Sequence, residues 1–190
     1  MILGIDPGTQ HTGYGLLRAE GRRMELVSQG RFSPPAAWEL PRRLAYIHKG
    51  LMELVAGYPP QAVAVEDIFY GHNVRSALKL GHVRGVILLT AALAGAPVFE
   101  YAPRQVKSTV AGYGQADKNQ VARMVSELLN FREPMAADAA DALAVAICHI
   151  SQSGLNGLLA HTPTRRGGGR GWRGMSADDV ATLNYDPGKG

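Results

Sequence analysis

The chain has 190 residues, a length that suits one domain with a short extension. With 46% hydrophobic and 19% charged residues it has the composition of a globular protein, which excludes wholesale disorder. Its single cysteine, Cys148, excludes an internal disulfide, and no paired cysteine spacing indicates a zinc module. The net charge of +4 is too modest to identify a partner.

The N-terminus carries no basic leader before its apolar residues, so neither a signal peptide nor a transit peptide is predicted. The longest strongly apolar stretch covers residues 86–94, whereas a membrane-spanning helix needs about 20 residues. We therefore expect a soluble protein of the cytoplasm, where its cysteine stays reduced.

The first half of the chain alternates between strand and helix patterns. Three short runs separated by glycine-containing turns predict an antiparallel meander at residues 2–5, 13–18 and 24–32. An amphipathic helix, a strand, a long apolar helix and a last strand follow, at residues 41–57, 62–65, 76–94 and 97–101. Hairpin strands followed by helix-linked strands predict an α/β fold, a five-stranded mixed sheet with helices on both faces.

Only helices are predicted after Pro103, at residues 103–111, 117–131 and 135–149. Asp117 is expected to cap the second of them, because its carboxylate can accept an unpaired amide of the first turn. Glycine makes up 7 of the last 30 residues, a composition that cannot offset its ordering entropy by apolar burial. We expect one domain over residues 1–157 and a flexible Gly/Arg-rich tail over 158–190, either touching nucleic acid or inert.

Two carboxylates are predicted at the ends of neighbouring strands. Asp6 ends the first strand just before a Pro-Gly pair, and Glu66 ends the fourth. In α/β sheets, side chains at the carboxyl ends of strands face a ligand crevice. Asp6 taken alone fits a turn former equally well. If the two strands are neighbours, both carboxylates emerge side by side.

A second pair of acids lies on the last predicted helix. Asp138 and Asp141 are three residues apart, which places both on one face, although an isolated pair of this kind is usually solvated. If Asp6 and Glu66 meet this face, four carboxylates converge with no lysine that the sequence obliges to neutralise them. Crowded anions favour a divalent cation, and Mg²⁺ or Mn²⁺ prefers oxygen ligands. Two such ions can activate a water and stabilise the leaving oxygen of a phosphodiester.

Charge between residues 68 and 116 is almost entirely positive, with Glu100 as the single acid. The basic residues of this stretch are Arg75, Lys79, Arg84, Arg104 and Lys107. A solvated helix face and a surface that follows a phosphate backbone both fit this pattern. Combined with the four acids, the second interpretation predicts a nuclease that contacts DNA through Arg75, Lys79, Arg104 and Lys107.

The segment after Glu66 combines aromatic and small residues, with Phe69 and Tyr70 just before Gly71. Aromatic rings beside a phosphodiester site can stack on unpaired bases, though a core-facing ring is the commoner explanation of a single phenylalanine. We expect Phe69, Tyr70 and Asn73 to be DNA contacts.

Taken together, the motifs resemble the RuvC family of crossover (Holliday) junction endodeoxyribonucleases over about residues 1 to 155. The matching segments are GIDPGT at 4–9, TGYG at 12–15, VE at 65–66, SALKLG at 76–81, RQVK at 104–107 and ADAADALA at 137–144. The resemblance implies an RNase H-like fold of the retroviral integrase superfamily. Some relatives have histidine at one of the last two acidic positions, whereas this chain has aspartate at both.

The resemblance also implies the activity. Members form homodimers and cut two strands of the same polarity at a four-way DNA junction, with two Mg²⁺ ions per site for which Mn²⁺ can substitute. The products are 5'-phosphate and 3'-hydroxyl ends, and the resolvase acts with the RuvA and RuvB branch-migration proteins in homologous recombination and DNA repair. The helix that begins near Ser76 is the expected dimer face.

The family's functional residues correspond to positions of this chain. Its metal-binding catalytic acids correspond to Asp6, Glu66, Asp138 and Asp141. Its junction-contacting aromatic residue corresponds to Phe69, and its DNA-contacting lysines to Lys107 and Lys118.

Two other functions fit part of the pattern. The hairpin with Gly13 and Gly15 after Asp6 also resembles the phosphate-binding hairpin of sugar-kinase-like and actin-like ATPases, but those need two related lobes and this chain has room for one. A junction-binding architectural protein would use the basic surface and tail, and would leave the four acids without a role.

Overall fold

The computed structural model describes residues 1–21, 23–67 and 74–159, with side chains to residue 154. Its strands are β1 (Ile2–Asp6), β2 (Thr12–Glu20), β3 (Arg23–Phe32), β4 (Ala62–Glu66) and β5 (Val98–Tyr101). Its helices are α1 (Leu40–Gly57), α2 (Val74–Leu93), α3 (Pro103–Ala111), α4 (Lys118–Leu128) and α5 (Ala137–Leu159).

The strands form one five-stranded sheet in the order β3-β2-β1-β4-β5. β1 pairs antiparallel with β2, and β2 pairs antiparallel with β3. β4 lies parallel to β1 on one side and to β5 on the other. The chain reaches β4 from β3 through α1, and β5 from β4 through α2, as parallel neighbours require crossover connections. The mixed sheet predicted from the sequence is thereby confirmed.

Helices cover both faces of the sheet. Alternate residues of β1 and β4, including Leu3, Ile5 and Val63, pack on one face against α1 and α2. On the other face Ala64 and Leu17 pack against α3, α4 and α5. The period of two along each strand divides the apolar side chains between two cores.

Two helices end three or more residues from the predicted position, while the other helix bounds agree within two residues. α4 ends at Leu128 rather than at 131, because Asn130 adopts a left-handed conformation with φ of 49° and Phe131 N donates to Ser126 O. α5 extends ten residues beyond the predicted end at His149, through the expected domain boundary at 157/158. Its last residues lack apolar periodicity, but a helix anchored upstream gains a hydrogen bond for each residue added. Residues 160–190, most of the expected tail, lie outside the described residues.

α2 is unusual in how much apolar surface it leaves exposed. In the described parts of the chain it is the one helix whose length and composition would allow it to cross a membrane, with mean hydropathy 1.3. It also carries Arg75, Lys79 and Arg84 and packs on α1 and β5. Its outward stripe consists of Val74, Leu78, Leu89 and Leu93, which are 55–71% exposed.

Candidate active site

Asp6 and Glu66 stand at the carboxyl ends of adjacent parallel strands. Ile5 of β1 is the register partner of Val65 of β4. The next residue in each strand is the acid, so Asp6 and Glu66 lie side by side where the two strands end. Both acids are half-buried. The expected adjacency of these strand ends is therefore observed.

Close packing against glycine brings the start of α5 to the same edge. A Cβ on Gly13 would lie 1.9 Å from the main-chain oxygen of Asp138, and one on Gly4 would lie 2.0 Å from that of Ala142. Any larger residue would force the helix away from the sheet, since the obstructing atoms are backbone. Gly13, one of the two glycines of the hairpin that resembles a phosphate-binding hairpin, thus allows close packing of the helix that carries Asp138 and Asp141.

The acids influence each other electrostatically. Burial is the largest cause that raises the pKa of Asp6 to about 7, followed by Glu66 and Asp141, with a smaller effect of Asp138 and an opposing one of Lys118. The pKa of Glu66 is also raised, first by burial and then by Asp141. Such shifts are typical of carboxylates that crowd together without full neutralisation.

Two basic side chains pair with the acids of α5. Lys118 Nζ lies 2.8 Å from Asp141 Oδ2, and Arg31 Nη1 lies 3.4 Å from Asp138 Oδ2. The expectation of acids without a neighbouring lysine is therefore wrong, because α4 begins directly beside α5. Sequence reasoning missed Arg31, whose position follows from its register opposite Gly13 in the antiparallel pair β2–β3.

A pocket of about 260 Å³ opens beside these acids. Its lining includes Glu66 and Asp141 together with Lys107 and Lys118. Lys107 lies close enough to act on Glu66, lowering its pKa against the effect of burial. A concave site lined by both carboxylates and ammonium groups suits a phosphate group held next to a cation.

In residues 1–21, 23–67 and 74–159, no three His, Cys, Asp or Glu side chains stand in an arrangement that would hold a metal ion as they are. The ion pairs explain this: the carboxylates of Asp138 and Asp141 are turned to Arg31 and Lys118. The donors are all carboxylates, the ligand type that Mg²⁺ and Mn²⁺ prefer. In ligand chemistry this set of acids therefore fits a hard divalent cation, which would have to compete with Arg31 and Lys118 for them.

The exposure of the expected DNA contacts can be compared for those that lie in the described part of the chain. Arg75, Lys79, Arg104 and Lys118 are exposed and Lys107 is partly buried, so each is accessible to a phosphate. Phe69, Tyr70 and Asn73 lie outside the described residues. Arg84, part of the same basic stretch, does not belong to a solvated face: its side chain is 13% exposed and pairs with Glu100 and Asp67.

Residues 2–149 match the family model described as crossover junction endodeoxyribonuclease RuvC. The protein of that name from Syntrophomonas wolfei is 49% identical over 167 residues, which are 87% of this chain and 97% of the relative. The solved structure of T. thermophilus RuvC in complex with a Holliday junction substrate has a TM-score of 0.77 and 35% identity, over 82% of this chain and 95% of that one. The yeast mitochondrial Holliday junction resolvase Ydc2 shares the fold, with a TM-score of 0.62 at 14% identity over 84% of this chain and 83% of that one.

Proposed function

Because the chain belongs to the RuvC family of crossover junction endodeoxyribonucleases, nucleases with the RNase H-like fold, we propose that it resolves four-way DNA junctions by divalent-metal-dependent hydrolysis. The observation that carries this proposal is the meeting of Asp6 and Glu66, at adjacent parallel strand ends, with Asp141 of α5. The cut strands have the same polarity and leave 5'-phosphate and 3'-hydroxyl ends.

Asp6, Glu66, Asp138 and Asp141 are the residues that would hold two Mg²⁺ ions. Bound there, the metal supplies Lewis-acid activation of water and stabilisation of the leaving oxygen. Lys107 and Lys118 line the same pocket, and in this proposal they donate to the scissile phosphate. Phe69, Tyr70, Asn73, Arg75, Lys79 and Arg104 are the further proposed DNA contacts.

The outward stripe of α2 supports a homodimer. Val74, Leu78, Leu89 and Leu93 are separated by 4, 11 and 4 residues, spacings that keep them on one helix face. In a two-fold symmetric dimer the same stripe of both copies would meet and be buried. Two-fold symmetry also matches the approximate symmetry of a four-way junction. Paired active sites would then make two symmetric nicks.

The cellular setting follows from the same family. We propose that the protein works in the cytoplasm in homologous recombination and DNA repair, together with the RuvA and RuvB branch-migration proteins. Its substrate is DNA, and its basic surface and pocket suit phosphates.

The test is a gel assay on labelled four-way and linear duplex DNA, with and without Mg²⁺. We expect paired, symmetric nicks in the junction alone and only with the metal. Asp6→Asn and Asp141→Asn should lower the cleavage rate at least about 100-fold while leaving junction binding within a few-fold. The matched control is Glu127→Gln, which removes an exposed carboxylate on α4.

Three outcomes would contradict the proposal. Junction binding without scission would favour an architectural protein, and near-normal cleavage by Asp6→Asn would show that the four acids are not the catalytic site. Tight ATP binding would favour the ATPase alternative.

A further inference from the structure

Arg84 belongs to the basic stretch of residues 68–116, but it is not one of the proposed DNA contacts. It lies on the inner face of α2, one turn before the buried Ile87, and its side chain is 13% exposed. A guanidinium in such a position needs several hydrogen-bond acceptors, because an unpaired buried charge is strongly destabilising. Its partners therefore show what holds it there.

Those partners converge on the end of β4. Nη1 of Arg84 donates to the main-chain oxygen of Glu66 at 2.9 Å. Nη2 pairs with the carboxylate of Glu100 and lies 3.7 Å from Asp67 Oδ1. Glu100 is the register partner of Val65, and Asp67 N donates to Tyr101 O at 2.8 Å. One guanidinium thus joins α2 to the last residues of β4 and to β5.

We propose that Arg84 is a positioning residue for the active site, acting through Glu66. The carbonyl it holds belongs to the planar peptide unit between Glu66 and Asp67. The bond from Asp67 N to Tyr101 O holds the other side of that unit, so the two bonds together set the orientation of the plane. This orientation constrains where the Cα of Glu66 stands and in which direction its side chain leaves the end of β4. The inference rests on the proposed function, in which Glu66 is a catalytic acid.

The contacts of Arg84 with one carbonyl and two carboxylates require the planar, multiply donating guanidinium group of arginine. Arginine offers five donors in a fixed geometry, whereas lysine offers a single ammonium on a flexible stem. Arg84→Lys therefore keeps the charge that balances Glu100 but cannot hold the carbonyl and both carboxylates together. This variant separates positioning from charge.

The experiment measures four properties of the full chain: melting temperature, junction affinity in Ca²⁺, Mn²⁺ affinity without DNA by electron paramagnetic resonance, and single-turnover cleavage at saturating junction and Mg²⁺. For Arg84→Lys we expect cleavage about 10- to 100-fold slower and Mn²⁺ binding about three- to tenfold weaker, with junction affinity within about threefold of wild type. The matched control is Arg18→Lys, since Arg18 forms an exposed pair with Glu25 at 2.8 Å at the far end of β2. It should change none of the four.

A second variant covers the case in which Arg84→Lys does not fold. Glu100→Gln keeps the arginine and weakens its anchor, so cleavage about three- to tenfold slower is expected. The inference would be overturned if either variant folds and both its cleavage rate and its Mn²⁺ affinity equal those of the wild type. It would also be overturned if a variant lost junction affinity while its cleavage rate at saturating junction and Mg²⁺ stayed unchanged. If the wild type itself fails to nick junctions, the proposed function fails, while the Mn²⁺ comparison still tests Arg84.

Discussion

Lys118 Nζ lies 2.8 Å from Asp141 Oδ2, so an ammonium group stands beside the acids where the proposed function requires a divalent cation. The pKa of Lys118 is raised, first by its hydrogen bond to Asp141 and by that carboxylate's charge, and further by Asp6 and Glu66. Its side chain is 78% exposed, which leaves it free to move outward when a stronger cation arrives. The same lysine can then meet a DNA phosphate.

Replacement of Lys118 by alanine should therefore strengthen metal binding in the absence of DNA. We expect Mn²⁺ affinity to rise about three- to tenfold, a modest gain because solvent screens an exposed charge. The measurement is a Mn²⁺ titration followed by electron paramagnetic resonance. Lys49→Ala, which removes an exposed lysine paired with Glu53 on α1, is the control. Unchanged or weaker Mn²⁺ binding by Lys118→Ala would show that the ammonium does not compete.

The raised pKa of Asp6 predicts how stability depends on pH without metal. Between 3.8 and about 7 the folded protein keeps a proton on Asp6 that the unfolded chain releases. The free energy of unfolding should then fall as pH rises through this window, by up to about 1.4 kcal/mol per pH unit from this group. Above about 7 both states are ionised and the contribution is constant.

Urea unfolding in a chelator at pH 4.5, 6 and 8 tests this dependence. Asp6→Asn should be more stable than wild type at pH 8 and nearly equal to it at pH 4.5, because the amide carries no charge. Added Mg²⁺ should stabilise the wild type most at pH 8. A stability difference that does not vary with pH would contradict the buried, crowded environment of Asp6.

Gly13→Ala tests whether the close approach of α5 builds the site. The added methyl group would collide with the main chain of Asp138, so either the helix or β2 must shift. We expect a loss of about 1–3 kcal/mol in the free energy of unfolding, as for other overpacked sites, together with weaker Mn²⁺ binding. Gly57→Ala is the control, since a Cβ there meets no atom within 4 Å. Wild-type Mn²⁺ affinity in Gly13→Ala would mean that the acids tolerate displacement of the helix.

A charge in the stripe of α2 should separate the proposed dimer. Leu89 is 55% exposed, and Leu89→Glu would place a carboxylate within the proposed apolar contact between two copies of α2. Light scattering after size exclusion should report a dimer for wild type and a monomer for the variant. Leu128→Glu, at an exposed leucine of α4, should remain dimeric. A monomeric wild type, or a dimeric Leu89→Glu variant, would exclude this face of α2 as the dimer interface.

Much of the fold could be predicted from local pattern. Strands β1 to β5 and helices α1 to α5 occur in the predicted order. Asp117 caps α4 by accepting from Gln120 N, as its position before the helix indicated, and Asp117 N donates in return to Gln120 Oε1. Such features depend on side-chain period and on residues a few positions apart, which a sequence displays directly. The end of α5 was missed because its last turns carry no periodic signal.

Local periodicity was enough to predict which four acids stand at two strand ends and on one helix face. The partners of these acids depend instead on contacts between residues far apart in the chain. Arg31 meets Asp138 from 107 residues away, and Arg84 reaches the carbonyl of Glu66 from the inner face of α2. Such long-range contacts depend on how closely the helices pack on the sheet. Glycines such as Gly13 allow the close approach because they have no side chain, and a local sequence pattern does not show which helix will pack there.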